Sequence, residues 1–246
     1  MSRDSSPSSS SSSPVYKVGA VVVRGALGAN ASLKPSPLGG EGLDEGAARL
    51  AQDSSHPLTQ PSPSRAAAHP TDSRPLGSSD TRILILRTKP KQPGEVAPFV
   101  LPRGSRQYWE WHGDGRRYED ARDAATALAH AEQLEPLTRT LAREIGEEAG
   151  VTAAELAAAQ VAELGAMDFQ SRSKGVYPVH WFVVRPDAAA LAAMDARAQA
   201  GQLPSDAVET RWASVAEIKA MAEAGDFSPG YLPVIDAALG LRAPPE

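Results

Sequence analysis

Residues 135–151 read E-P-L-T-R-T-L-A-R-E-I-G-E-E-A-G-V. Glu144, Glu147 and Glu148 recur at i, i+3 and i+4, which places the three carboxylates on one side of a helix within about one turn. Like charges at this spacing weaken an isolated helix by about a few tenths of a kcal/mol. Mg²⁺ takes oxygen ligands and is commonly held by one or two carboxylates plus substrate phosphates. The stretch therefore predicts a helix that presents acidic ligands to a divalent cation.

The ends and the apolar side of this helix are also specified. Pro136 suits the first helical position, and Gly150 is the residue type that most easily closes a helix in a left-handed conformation. Leu134, Leu141 and Ile145 form an apolar stripe, and the acids lie beside it. We therefore expect the acids at the rim of the core, where charge is costly unless it is partnered.

Composition limits the classes of function. The chain has 246 residues, a net charge of −5 and 22% charged residues, which does not suggest a nucleic-acid or anionic-membrane binder. It has no cysteines, so disulfides and thiolate metal sites are excluded. Neither a secretory signal nor an apolar run of membrane-spanning length occurs, and the default expectation is a cytoplasmic protein without a membrane partner.

The order of segments predicts an α/β fold. Residues 1–14 are a serine-proline tail of disordered composition, and roughly 26–80 is a Pro/Gly/Ser/Ala-rich stretch that we interpret as a disordered insertion between two strands. Strands are predicted at 16–24, 82–87, 161–169, 179–185 and 210–213. Helical composition or capping signals occur at 119–133, 187–200, 214–224 and 232–241. Strands interleaved with helices indicate a layered α/β domain.

The stretch at 143–151, R-E-I-G-E-E-A-G-V, together with Glu135, resembles the Nudix box. The family pattern begins with a glycine six residues before the first glutamate, where this chain has Ala129. Upstream, residues 101–104 (LPRG) are similar to the family's L-P-[GKR]-G entry, with Gly104 as the box glycine and an insertion at about 105–130. Residues 209–218 (ETRWASVAEI) are similar to a further family segment.

This resemblance implies a Nudix-type α/β/α sandwich with a mixed sheet, in which residues 15–246 form a single domain carrying two disordered insertions. It implies a metal-dependent hydrolase that cleaves a diphosphate linkage in a nucleoside-diphosphate-type substrate. The expected cofactor is Mg²⁺, with Mn²⁺ as the alternative, and the expected partner is a small nucleotide or other diphosphate. Since many relatives are dimers, a homodimer is also an expectation.

Site residues carry over from the resemblance by position. Glu144, Glu147 and Glu148 are expected as metal ligands, and Glu135 as an additional one. Arg143 is expected to orient the glutamates through charge-assisted hydrogen bonds. The catalytic set is then Glu147, Glu148 and Arg143, and the alternative for the acids is a solvated helix face.

The remaining candidates each have an ordinary structural alternative. Arg103 and Gly104 could bind a substrate phosphate or form a loop turn. The rings of Tyr108, Trp109 and Trp111 could stack on a base, although anchoring of the inserted segment is the favoured interpretation. Candidates for the general base are Glu209, which completes the catalytic set, and also Glu163 and Asp168; the alternative for each is a solvated or capping acid. His180 is interpreted as a packed histidine.

A different class of function is a Nudix-like module that binds a nucleotide without turning it over. A sensor of this kind is expected to lose box glutamates, and all of them are present here. A helical interaction protein built on the alanine-rich segments does not account for the box.

Overall fold

One mixed β-sheet organises the computed structural model, which describes residues 14–25, 81–90, 94–113, 115–171 and 175–240. The strands are β1 (Lys17–Arg24), β2 (Arg82–Thr88), β3 (Arg103–Ser105), β4 (Gln107–His112), β5 (Gly115–Asp120), β6 (Gln160–Ser171), β7 (Gly175–Arg185) and β8 (Ala207–Ser214). The helices are α1 (Ala124–Ala129), α2 (Leu137–Glu144), α3 (Ala153–Ala158), α4 (Ala188–Gln199), α5 (Val215–Glu223) and α6 (Leu232–Ala238). The predicted tail, apart from Pro14, and the predicted insertion at 26–80 lie outside the described residues.

Strand β1 is the centre of the sheet, whose order is β6-β7-β1-β2-β8 with β3 also paired to β1. It runs parallel to β7 on one edge. Its other edge is shared: β3 pairs at the start of β1, where Gly19 faces Arg103, and β2 pairs at the end, where Arg24 faces Arg82. The beginning of β3 is thereby held beside the middle of the sheet.

The two faces of the sheet bury separate apolar cores. Alternate side chains of β1 point to opposite faces, as strand geometry requires. Val21 and Val23 join Trp181 and residues of α5 and α6 in one core. Val18 and Val22 join residues of α2, α3 and α4 in the other. The expected α/β/α sandwich with a mixed sheet is therefore confirmed.

The later helices follow the sequence closely. Helices α4, α5 and α6 lie within the predicted ranges, and α5 begins with the predicted capping box. The backbone N–H of Glu217 donates to Ser214 Oγ (3.2 Å), and the backbone N–H of Ser214 donates to Glu217 Oε2 (2.7 Å). Helix α3, which has its own capping box at Thr152, is an additional element. Among the described residues, no helix has the combination of length and apolar character needed to span a bilayer.

The second insertion is ordered. Strands β4 and β5 form an antiparallel hairpin, and the alanine-rich helix predicted at 119–133 is reduced to α1, because residues up to Asp120 pair with β4 instead. Asp123 caps α1 by accepting a hydrogen bond from the backbone N–H of Thr126 (2.8 Å). Cross-strand pairing has overridden the helical composition of the start of this segment.

The box helix, which is α2 and the π turn that follows it, differs from the expectation at its start and in its last turn, and it closes at Gly150 as predicted. Pro136 is its N-cap and not its first helical residue. The residue before a proline is disfavoured in helical conformation, which keeps Glu135 and Leu134 outside the helix, and Leu134 packs against the opposite core. From Ile145 to Ala149 the helix widens into a π turn, and Gly150 closes it at φ 68°. The apolar side of the helix is therefore Leu141, Ile145 and Ala149, with Leu137 packed beside them.

Candidate active site

Strand β3 and the box helix meet through two carboxylates. The backbone N–H of Arg103 donates to Glu148 Oε2 at 2.6 Å. At Gly104, an added Cβ would lie 1.8 Å from the carboxyl carbon of Glu144, so only glycine leaves room for that side chain. The glycine was expected to admit a phosphate; in the structure it admits a glutamate. Arg103 and Gly104, which are consecutive residues of β3, thus lie against Glu148 and Glu144, which are four residues apart on the helix.

Arg143 links the acids of the box. Its Nη1 donates to Glu144 Oε1 (2.6 Å) and to Glu147 Oε2 (3.4 Å). Its Nη2 donates to Glu135 Oε2 (3.1 Å) and to the carbonyl oxygen of Ser105 (2.7 Å). A guanidinium group can make such forked contacts in one plane, which a lysine could not reproduce. Arg143 therefore fixes the acids relative to one another and to β3.

Glu135 is committed to structural contacts. It is 8% exposed, and besides Arg143 its Oε2 accepts a hydrogen bond from Thr140 Oγ1 (3.0 Å). The same oxygen accepts a 3.4 Å hydrogen bond from the backbone N–H of Gln107, at the start of the inserted hairpin. Glu135 therefore joins the hairpin to the box helix. Because its Oε2 already accepts three hydrogen bonds, Glu135 is not among the proposed metal ligands.

Burial makes two of the acids difficult to ionise. Burial raises the pKa of Glu148 to about 8; the Arg103 backbone N–H opposes this rise, and the charge of Glu144 adds to it. Burial likewise raises the pKa of Glu144 to about 7, against the lowering effect of Arg143. For Arg143, burial lowers the pKa, but its hydrogen bonds and charge contacts with Glu135 and Glu144 outweigh burial and raise it. Near neutral pH these two acids are therefore only partly ionised.

The donor set suits a hard divalent cation in part. In the portion of the chain that the structure describes, no three His, Cys, Asp or Glu side chains are placed to hold a metal ion. The carboxylates of Glu144 and Glu148 both lie against the start of β3. The carboxylate of Glu147 is instead 44% exposed and contacts Arg143. Two carboxylates completed by substrate phosphates are nevertheless a common protein environment for Mg²⁺. The buried Glu144 and the half-buried Glu148 fit that arrangement.

The side chain of Arg103 lies among three aromatic residues. Its Nη1 donates to the hydroxyl of Tyr177 (2.6 Å), and its guanidinium carbon lies 4.1 Å from the ring centroid of Phe169 and 5.5 Å from that of Tyr231. These three aromatic residues were not predicted from sequence. They belong to separate strands and a turn, and no local pattern connects them to the LPRG stretch.

The general-base candidates do not join this cluster. Glu209 lies on β8 and is paired with Arg87 (3.5 Å), and its side chain is half exposed. Glu163 on β6 contacts the ring of His180 on β7. Asp168 is exposed on β6. Among the described residues, none of these acids has a hydrogen bond or ion pair with the box carboxylates, so their catalytic roles stay predictions.

The three aromatic candidates separate onto two faces of the hairpin. Tyr108 stacks on His130 with ring centroids 3.9 Å apart and packs against a core, which is the favoured anchoring role. Trp109 and Trp111 lie on the opposite face, and Trp111 is 71% exposed. The hairpin itself had a sequence signal, since a Gly-Asp pair at 113–114 between two segments rich in aromatic residues is typical of a two-residue hairpin loop.

Two cavities flank the box helix. The larger, about 330 Å³ and open to solvent, lies between the hairpin and α2 and is lined by Gln107, Tyr118, Glu135, Arg139, Ala142, Arg143 and Ala153. The smaller, about 170 Å³, lies beyond Gly150 beside Met194 and Trp212. Only the larger one is lined by Arg143, the residue that contacts the box acids.

Comparison with known proteins gave structural matches only. No protein-family model and no curated protein matches the chain. A NUDIX hydrolase from Nitrosomonas europaea aligns with a TM-score of 0.37 and 15% identity over 67% of this chain and 84% of that one. A mutT/nudix family protein from Listeria innocua aligns at 0.37 and 16% (68% and 85%), and a C. elegans Ap4A hydrolase at 0.34 and 16% (67% and 91%). Two of the three carry the Nudix name.

Proposed function

We propose that this protein is a Nudix hydrolase that uses a divalent cation to cleave a diphosphate linkage in a nucleoside-diphosphate-type substrate. One observation carries the proposal: β3 and the box helix bring the buried Glu144 and the half-buried Glu148 together at the rim of the core. Glu144 is paired with Arg143, but Arg143 also contacts Glu135 and Glu147, so the carboxylates outnumber the one guanidinium group that they share. Carboxylates removed from water are costly unless their charge is balanced, and a bound cation would supply that balance.

The residues of the chain have distinct roles in this proposal. Glu144 and Glu148 would hold the cation, and the more exposed Glu147 would complete its surroundings when substrate is present. A bound Mg²⁺ neutralises phosphoryl oxygens and lowers the pKa of a bound water. Arg143 keeps Glu144 and Glu147 oriented, and Gly104 lets β3 approach the helix closely. Holding the groups on a helix and a strand limits the reorganisation needed during the reaction.

The test is a hydrolysis assay on a panel of nucleoside diphosphate compounds with Mg²⁺ or Mn²⁺, scored for released phosphate or pyrophosphate. The wild-type protein should cleave at least one compound, and Glu147→Gln and Glu148→Gln should each lower turnover by about two or more orders of magnitude. Glu209→Gln tests the base candidate in the same assay. Full activity in Glu148→Gln, or no cleavage of any compound by the wild type, contradicts the proposal.

A further inference from the structure

The inserted hairpin presents two different faces. Tyr108 and Glu110 point toward the domain, where Tyr108 stacks on His130 and Glu110 lies within 3.7 Å of the same histidine. Residues directly opposite in an antiparallel pair share a face, as do residues two apart along a strand. Trp109 faces Tyr118 and Trp111 faces Arg116, so these four residues form the second face. We call it the aromatic face.

Anchoring of the hairpin does not account for the aromatic face. Trp111 is 71% exposed and Tyr118 is 48% exposed, which is unusual for large rings on a soluble surface. The guanidinium carbon of Arg116 lies 4.5 Å from the ring centroid of Trp109, and that of Arg139 on α2 lies 5.8 Å from the ring centroid of Tyr118. The surface therefore combines aromatic rings with cationic side chains.

The aromatic face continues into the larger cavity. Tyr118 forms one wall of that cavity, and Arg139 and Arg143 of the box helix form the other. Arg143 also contacts the box acids, so a ligand that extends from Tyr118 past Arg143 would reach the proposed centre. A volume of about 330 Å³ is within the range of small-ligand pockets.

We propose that this cavity is the subsite for the nucleobase end of the substrate, with the base stacked on Tyr118 and the adjoining phosphates directed past Arg139 and Arg143. This inference rests on the proposed function, since the subsite would bind the part of the substrate that the box acids do not contact. Rings with arginines beside them suit a phosphorylated aromatic ligand better than an apolar peptide, because each arginine would otherwise lose hydration without gaining a counter-charge.

The experiment compares two non-hydrolysable ligands that differ only in the nucleoside. Binding of α,β-methylene-ADP and of methylenediphosphonate, each with Mg²⁺, is measured by titration calorimetry. Tyr118→Ala should weaken α,β-methylene-ADP binding about tenfold, as expected for the loss of one base–ring stack, and leave methylenediphosphonate binding unchanged. Tyr118→Phe should retain the wild-type affinity because it keeps the ring. Leu128→Ala, a change at another exposed apolar side chain, on α1, is the matched control and should bind both ligands normally.

The outcomes separate the subsite from the hydrolase. An unchanged ratio of the two affinities in Tyr118→Ala overturns the subsite, as does failure of the wild type to bind α,β-methylene-ADP. A dimer that dissociates in Tyr118→Ala, measured by size-exclusion chromatography with light scattering, also overturns it and assigns the aromatic face to a second copy. Whether the protein is a hydrolase is decided separately, by the wild-type turnover assay. The result of that assay does not change the ratio of the affinities for α,β-methylene-ADP and methylenediphosphonate, which tests the subsite alone.

Discussion

Replacing Glu148 by glutamine should make the metal-free protein more stable, and increasingly so as the pH rises. The folded-state pKa of Glu148 is raised to about 8 from an ordinary value of 4.5. For a raised carboxyl pKa, stability is fully present below the ordinary value and is lost as the pH rises toward the folded value. Each pH unit in the middle of this window costs about 1.4 kcal/mol and each unit near either pKa costs less, so the wild type should lose about 3 kcal/mol between about pH 5 and about pH 8. Glutamine carries no charge and escapes this loss.

The assay is thermal unfolding followed by circular dichroism in chelator at the two pH values. For a chain of this size, about 3 kcal/mol corresponds to roughly 6–12 °C in Tm. The Tm of Glu148→Gln minus that of the wild type should therefore be larger by this amount at the higher pH than at the lower one. The contributions of the other titrating groups to the pH dependence of Tm cancel in this difference, because both proteins contain those groups. Saturating Mg²⁺ should then raise the Tm of the wild type more than that of the variant. A Tm difference that is the same at both pH values would refute the reasoning.

Three further changes test the framework around the site. Gly104→Ala should fold, because the clashing atoms are the end of the Glu144 side chain, but displacement of that carboxylate should lower turnover at least about tenfold. Ser214→Ala removes a helix cap and should cost about 1 kcal/mol in denaturant unfolding, with turnover unchanged. Deletion of residues 26–80 joins Gly25 directly to Thr81 as a two-residue turn, since Arg24 already pairs with Arg82; stability and rate should stay near wild type, and an unfolded product contradicts this.

The parts of the fold that follow from regular patterns could be predicted from sequence. Valine-rich and alternating stretches gave the positions of β1, β2 and β7, and a capping box gave the start of α5. The apolar period alone includes Leu134 in the stripe of the box helix, but Pro136 restricts the residue before it, so the helix cannot extend back to Leu134. The π turn at 145–149 has no residue signature of its own, so the helical spacing of the acids was only approximately right.

The site was predictable where it is local in sequence. The box acids and Arg143 lie within a few residues of one another, and their proximity follows from one helix. The contacts of Arg103 with Phe169, Tyr177 and Tyr231 depend on how distant strands are paired. The role of Gly104 likewise depends on how closely β3 approaches the helix, a tertiary distance that sequence spacing does not contain.

The inserted hairpin enters and leaves the domain through a narrow neck. The backbone N–H of Glu135 donates to the carbonyl oxygen of Gln107 (2.6 Å), and that of Ala121 donates to the carbonyl oxygen of Arg106 (2.8 Å). The hairpin tip, residues 110–117, can therefore be exchanged as a cassette while Gln107 keeps its hydrogen bond to the carboxylate of Glu135. Chimaeras that carry other cassettes on the same neck offer a route to changing ligand preference while the chemical machinery is left in place.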